Sequence, residues 1–149
     1  MITLDNRFPM PLDTEPLGLA ARLTLEQQSA AEPADLTVVL TDDEQLHQLN
    51  LDFRDVDAPT DVLSFPAGET DPETGAPYLG DVIISVERAA EQAQAGGHPL
   101  QAELQLLIVH GILHLLGHDH AGEAEEQRMW AAQAAVLAQL GLSGIKISE

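Results

Sequence analysis

Apolar positions along the chain follow two different periods. Asp35 to Leu40, with β-branched Thr37, Val38 and Val39, predicts a strand, as do Asp61 to Phe65 and Leu79 to Ser85. Ile2 to Leu4 is a candidate for a fourth, short strand. Helical spacing marks Leu17 to Ala31, with Leu19 and Leu23 in phase and Pro33 as the stop. Thr41 and Glu44 form a capping-box pattern ahead of a helix from Asp42 to about Asp52, with Leu46, Leu49 and Phe53 on one face. A third helix spans Val86 to Ala95 and ends at Gly96-Gly97. Pro99 suits the first turn of a fourth. That helix carries Leu100, Leu104, Leu107, Ile108, Ile112 and Leu115 and stops at Gly117, the usual place for a left-handed cap. A last helix, Glu123 to Leu140, carries Trp130, Ala134 and Leu137. Pro9 to Pro16 reads as a connection. Pro66 to Pro77, rich in Gly, Pro and acid, predicts a mobile loop. The fourth helix is apolar nearly all round, so it should be central and buried. Mixed strands and helices predict an α/β (α+β) single domain, a small mixed β-sheet packed by helices.

Composition narrows the function. The 149 residues suit one domain, and 44% hydrophobic content supports a core. Aromatics are only 3%, so Leu, Val, Ile and Ala must build that core. Six Lys and Arg against 25 Asp and Glu give a net charge of −19. Duplex DNA binding relies on neutralising phosphates, so a free-standing DNA binder is excluded. A basic amphipathic membrane binder is excluded on the same count. No cysteine is present, which removes disulfides, thiolate metal sites and cysteine nucleophiles. Met1 to Glu15 holds four charges and no apolar run, unlike a secretory signal. The longest apolar stretch, Leu104 to Gly117, contains two histidines and is a core helix rather than a membrane span. A soluble cytoplasmic protein is expected.

Four of the six histidines lie at positions 110, 114, 118 and 120. His110 and His114 are one helical turn apart and share a face, close enough for both imidazoles to reach one metal. Had the helix continued, His118 would lie about 12 Å along the axis from His110. One ion cannot bridge that distance, so the chain must turn back, and Gly117 permits it. Either His118 or His120 then becomes available as a third ligand. Three neutral histidines suit zinc and leave a fourth position open, as catalytic sites do. A zinc protease would read His-Glu-x-x-His, with the Glu as general base. Position 111 is Gly instead, which argues against peptide hydrolysis. Asp119 is a substitute base or, more simply, a residue that orients an imidazole.

The run His110-Gly-Ile-Leu-His114-Leu-Leu-Gly-His118-Asp-His120 resembles the signature of the YbeY family of bacterial endoribonucleases, His-Gly-x-Leu-His-Leu-x-Gly-Tyr/His-Asp-His. Asn50-Leu-Asp-Phe53-Arg54, Thr60 to Pro66 and Leu79 to Ser85 match further blocks in the right order. The resemblance implies His110, His114 and His120 as ligands of one zinc ion. His118 stands where the family also has Tyr. It implies a metal-dependent endoribonuclease specific for single-stranded RNA, acting in 16S rRNA 3′-end maturation and ribosome quality control. Its partners would be the rRNA precursor and the small ribosomal subunit or associated assembly proteins. Arg54 matches an arginine treated as important for activity. On the residues alone, Arg54 would read as a salt-bridge partner of Asp52, Asp55 or Asp57.

Two other classes fit the histidines: a metal hydrolase acting on a peptide or ester, and a non-enzymatic ribosome-assembly factor with a structural metal. Charge poses a separate problem, since a chain at −19 repels a polyanion. Either Arg54 and the metal form a local positive cleft, or a partner presents the RNA.

Overall fold

A computed structural model describes residues 1–30, 34–70, 72–118 and 122–145. Four strands form one mixed sheet: β1 (Ile2–Asn6), β2 (Asp35–Thr41), β3 (Val62–Thr70) and β4 (Pro77–Ser85). Their order is β1-β2-β4-β3; β1, β2 and β4 run parallel, and the edge strand β3 is antiparallel to β4. Five helices complete the fold: α1 (Thr14–Gln27), α2 (Asp43–Arg54), α3 (Val86–Gly96), α4 (Leu100–Leu115) and α5 (Glu123–Gln139). Among the described residues no helix is long and apolar enough to cross a membrane.

Helix α4 is the centre of the molecule. Every residue from Ala102 to Leu113 is buried, between β3 and β4 on one side and α1, α3 and α5 around it. Leu36, Val38 and Leu40 of β2 and Val82 and Ile84 of β4 complete the core. These alternate residues occupy one face of their strands, as the two-residue period of a pleated strand requires.

Gly111 sets how closely α4 approaches the sheet. A Cβ added there would lie 2.5 Å from Val82 Cγ1 and 3.3 Å from Ser64 Oγ. Ser64 Oγ donates to the Gly111 carbonyl at 2.9 Å, which ties helix to strand. Glycine costs a helix roughly 0.5–1 kcal/mol relative to alanine, and the close contact with the sheet offsets that cost. The absence of glutamate at 111 therefore has a packing cause.

At its other end α4 finishes as the sequence indicates. Gly117 has φ 99°, its N–H donates to His114 O at 3.1 Å, and the His118 N–H donates to Leu113 O at 3.0 Å. That pair of bonds is the Schellman arrangement, in which a glycine just past the cap reverses the chain.

Three local expectations change. Pro66 to Pro77 is largely hairpin: β3 continues to Thr70 and β4 starts at Pro77, with a register shift between Pro66 and Glu69. Such an irregularity lets a strand accommodate proline and glycine that a regular ladder excludes. Thr41 is the last residue of β2, paired with Ser85, and Asp42 caps α2 by accepting from the Gln45 N–H at 2.9 Å. Helix α1 begins earlier than expected, capped by Asp13, with Pro16 in the first turn where its missing N–H has no cost. It ends at Gln27; Ala31 and Pro33 lie outside the described residues.

Candidate active site

Burial of α4 places His110 and His114 at one end of the core. His110 is only 7% exposed, and His114 is half-buried near the solvent end of the helix. Their rings stand edge to face with centroids 4.7 Å apart, and the two Nε2 atoms are separated by 3.2 Å. Two nitrogens bound at about 2.0–2.1 Å to one tetrahedral ion stand about 3.3–3.4 Å apart. The donor pair therefore fits a shared metal.

Helix α5 orients the buried imidazole. His110 Nδ1 lies 3.0 Å from Gln133 Oε1. An amide oxygen only accepts, so Nδ1 carries the proton and Nε2 keeps its lone pair for a ligand. The Trp130 ring lies beside His110 at a centroid distance of 6.1 Å. Neither Gln133 nor Trp130 is marked by the histidine motif, which ends 10 residues before Trp130 and 13 before Gln133. A buried glutamine on the apolar side of α5, in line with Met129, Val136 and Leu137, is the one sequence signal that could have drawn attention to Gln133.

His118 faces elsewhere: its Nε2 lies 2.7 Å from Gln28 Oε1 beyond the end of α1. Among the described residues no third His, Cys, Asp or Glu joins the histidine pair. His120 and Asp119, the expected third ligand and the possible base, lie outside the described residues. Arg54 is exposed on the last turn of α2. None of the ion pairs among the described residues involves it: Asp57 meets His47 at 2.6 Å, and Asp52 accepts from Gln48 at 2.9 Å. No contact joins Arg54 directly to the histidine pair among these residues. Its neighbour Phe53 meets Phe65 of β3.

The comparisons with known proteins bear on this arrangement. Residues 16–141 match the family described as endoribonuclease YbeY. The chain belongs to that family. The YbeY relatives include an endoribonuclease YbeY of Pelotomaculum thermopropionicum, 46% identical over 130 residues, covering 85% of this chain and 86% of that one. Another, from Roseiflexus castenholzii, is 44% identical over 142 residues and covers 92% and 89%. Among solved structures, the solution structure of TM1509 from Thermotoga maritima superposes with a TM-score of 0.59 at 24% identity, covering 93% of this chain and 91% of that one. That likeness concerns the fold.

A second polar cluster lies apart from the histidines, on the α3 side of α4. Glu103 is fully buried in α4, and its Oε1 lies 2.6 Å from His98 Nε2. Asp61, before β3, accepts from the Val62 N–H at 2.7 Å and from Gln92 at 3.3 Å. Burial pushes the Glu103 carboxyl above the ordinary value of 4.5, opposed by His98 and reinforced by Asp61. Burial raises Asp61 as well. Glu103 Oε2 and Gln92 Oε1 are buried acceptors with no donor among the described residues, and a proton on Glu103 makes the first of them a donor. A carboxyl whose folded value is raised contributes stability below its unfolded value and loses it as pH rises through the folded value. Glu103→Gln keeps the shape and both hydrogen-bonding roles without charge. Its stability relative to wild type should therefore rise as pH increases from 4.5 upward. Urea denaturation of both proteins at pH 5 and pH 8 checks this; a variant equally destabilised at both pH values contradicts it.

Proposed function

We propose that this chain is a metal-dependent endoribonuclease specific for single-stranded RNA, acting in 16S rRNA 3′-end maturation and ribosome quality control. Membership in a family of endoribonucleases supports the reaction class. The observation that carries metal dependence is the convergence of two Nε2 atoms at 3.2 Å, with Gln133 fixing the tautomer of His110. His110, His114 and His120 would hold one zinc ion, leaving a coordination position open. Zinc bound there supplies Lewis acidity toward a phosphoryl oxygen and toward a water. The protein's own groups do the rest. Gln133 keeps the His110 imidazole in the ligating tautomer. Arg54, with its planar fork uncommitted to any ion pair among the described residues, takes the phosphate bidentately as negative charge grows on it. The buried flank of α4 keeps bulk water from the back of the site. The small ribosomal subunit or its assembly proteins present the substrate in the cytoplasm, which removes the need for a broadly basic surface.

Peptide hydrolysis with a glutamate base beside the first histidine is disfavoured, since position 111 has no space for a side chain. The decisive experiment treats single-stranded and duplex RNA with purified protein, with and without a chelator. Single strands should be cut, duplex spared, and cleavage lost on chelation and restored by zinc. Cleavage that survives chelation removes the metal from the reaction. Equal cleavage of duplex removes strand specificity, and hydrolysis of casein or model esters in place of RNA removes the ribonuclease reading.

A further inference from the structure

The exposed large hydrophobic residues in the described structure are Met1, Leu51, Phe53 and Val56. Three of the four surround Arg54 at the end of α2. Phe53 is 68% exposed, in a chain with only three Phe, one Trp and one Tyr. It is not loose. Its ring meets Phe65 edge to face, at a centroid distance of 5.5 Å and an interplanar angle of 69°. Phe65 belongs to the edge strand β3, and the preceding residue, Ser64, turns to the other side and bonds Gly111, between the two histidines. Alternation along the strand therefore puts Phe53 and Phe65 on one face of β3 and α4 with its histidines on the other. Only an edge strand separates them.

We propose that Phe53 is a stacking platform for one base of the RNA, with the adjoining phosphate on Arg54. This inference rests on the ribonuclease reading above and assigns the protein's affinity to a particular ring. A chain with six cationic side chains gains little from neutralising phosphates. Base stacking on an aromatic ring does not depend on net charge and tolerates any sequence. The edge contact from Phe65 holds the Phe53 ring in place while most of it remains open, so little ordering is required on binding. Two of the three aspartates flanking Arg54 are engaged locally, Asp57 with His47 and Asp52 with Gln48, while no ion pair takes the Arg54 fork among the described residues. Stacking also explains a preference for single strands, because bases in a duplex already stack on one another.

The test compares Phe53→Ala, Phe53→Leu and Phe53→Trp on a short single-stranded oligoribonucleotide. Leucine keeps an apolar side chain against Phe65 but offers no π face. Alanine and leucine variants should raise KM about tenfold while kcat moves less than about threefold, a loss on the scale of one stacked base. The tryptophan variant should hold KM near wild type. Its added fluorescence should be quenched by the oligonucleotide, measured against the Trp130 background. An oligonucleotide with one abasic position should bind wild type about tenfold worse at a single site, and the Phe53→Ala variant should not notice that change. A Phe53→Leu variant with the KM of wild type overturns the proposal while leaving the ribonuclease reading intact, and points to a protein partner at this surface. Quenching of Phe53→Trp by RNA in a wild-type background that never cleaves has the opposite meaning: stacking stands and the ribonuclease reading fails.

Discussion

Replacing His114 by alanine is expected to remove both the metal and RNA cleavage while leaving the fold in place. His114 is half-buried near the end of α4, outside the apolar cluster that holds the helix. Alanine is the strongest helix former, so the last turn should persist. What disappears is one of two nitrogens separated by 3.2 Å. A zinc ion left with fewer protein ligands is released, because affinity comes from the assembled set. Elemental analysis should find near-stoichiometric metal in the wild type and little in the variant. His118→Tyr should keep its metal, since His118 bonds Gln28. Ligating imidazoles must be neutral, so metal occupancy of the wild type should fall as the solution is made acidic. Equal metal content in wild type and His114→Ala would end the proposal of a histidine metal centre.

Arg54→Ala should lower cleavage by about 10²–10³, the usual cost of losing one donor to a transition state's developing charge. Metal content and melting temperature should stay at wild-type values, because Arg54 is exposed and no ion pair among the described residues includes it. Arg54→Lys should recover only part of the rate, since an ammonium supplies charge without the planar fork. Raised salt should weaken RNA binding only shallowly, given six Lys and Arg in the whole chain. Single-turnover kinetics separates this from product release. An Arg54→Ala variant as fast as wild type would leave the positive side of the cleft to the metal alone.

Much of the architecture was legible because its signals are local. The apolar run of α4, the Pro99 start and the Gly117 reversal are each carried by neighbouring residues; the structure keeps the run and the reversal and sets Pro99 just ahead of the first turn, as the N-cap. Within the 66–77 stretch, local signals misled. Pro66 and Gly68 read as loop, yet pairing across to Gly80, Tyr78 and Pro77 carries β3 on to Thr70. Pairing is a tertiary effect that no window of sequence contains. Thr41 failed as a cap for a similar reason: its neighbour in the sheet, Ser85, claims it for β2. The site divides the same way. His110 and His114 are joined by helical periodicity, and their approach could be read from spacing alone. Gln133 reaches His110 only through the packing of α5 on α4, and Phe53 meets Phe65 only because α2 lies across the outer face of β3.

Gly111 has a consequence for how this protein can change over generations. The His-x-x-x-His spacing is the same as that of a zinc peptidase, and a single replacement, Gly111→Glu, would complete the peptidase pattern. That one replacement is blocked by the sheet, not by the chemistry of the histidines: Val82 fills the place a side chain would need, and its Cγ1 would lie 2.5 Å from the new Cβ. Val82 is itself fully buried between β2 and β3, so shrinking it first would open a cavity in the core before any new activity could appear. Two costly steps would have to occur together. The seam between helix and sheet thus acts as a ratchet, holding the histidine pair to one kind of chemistry.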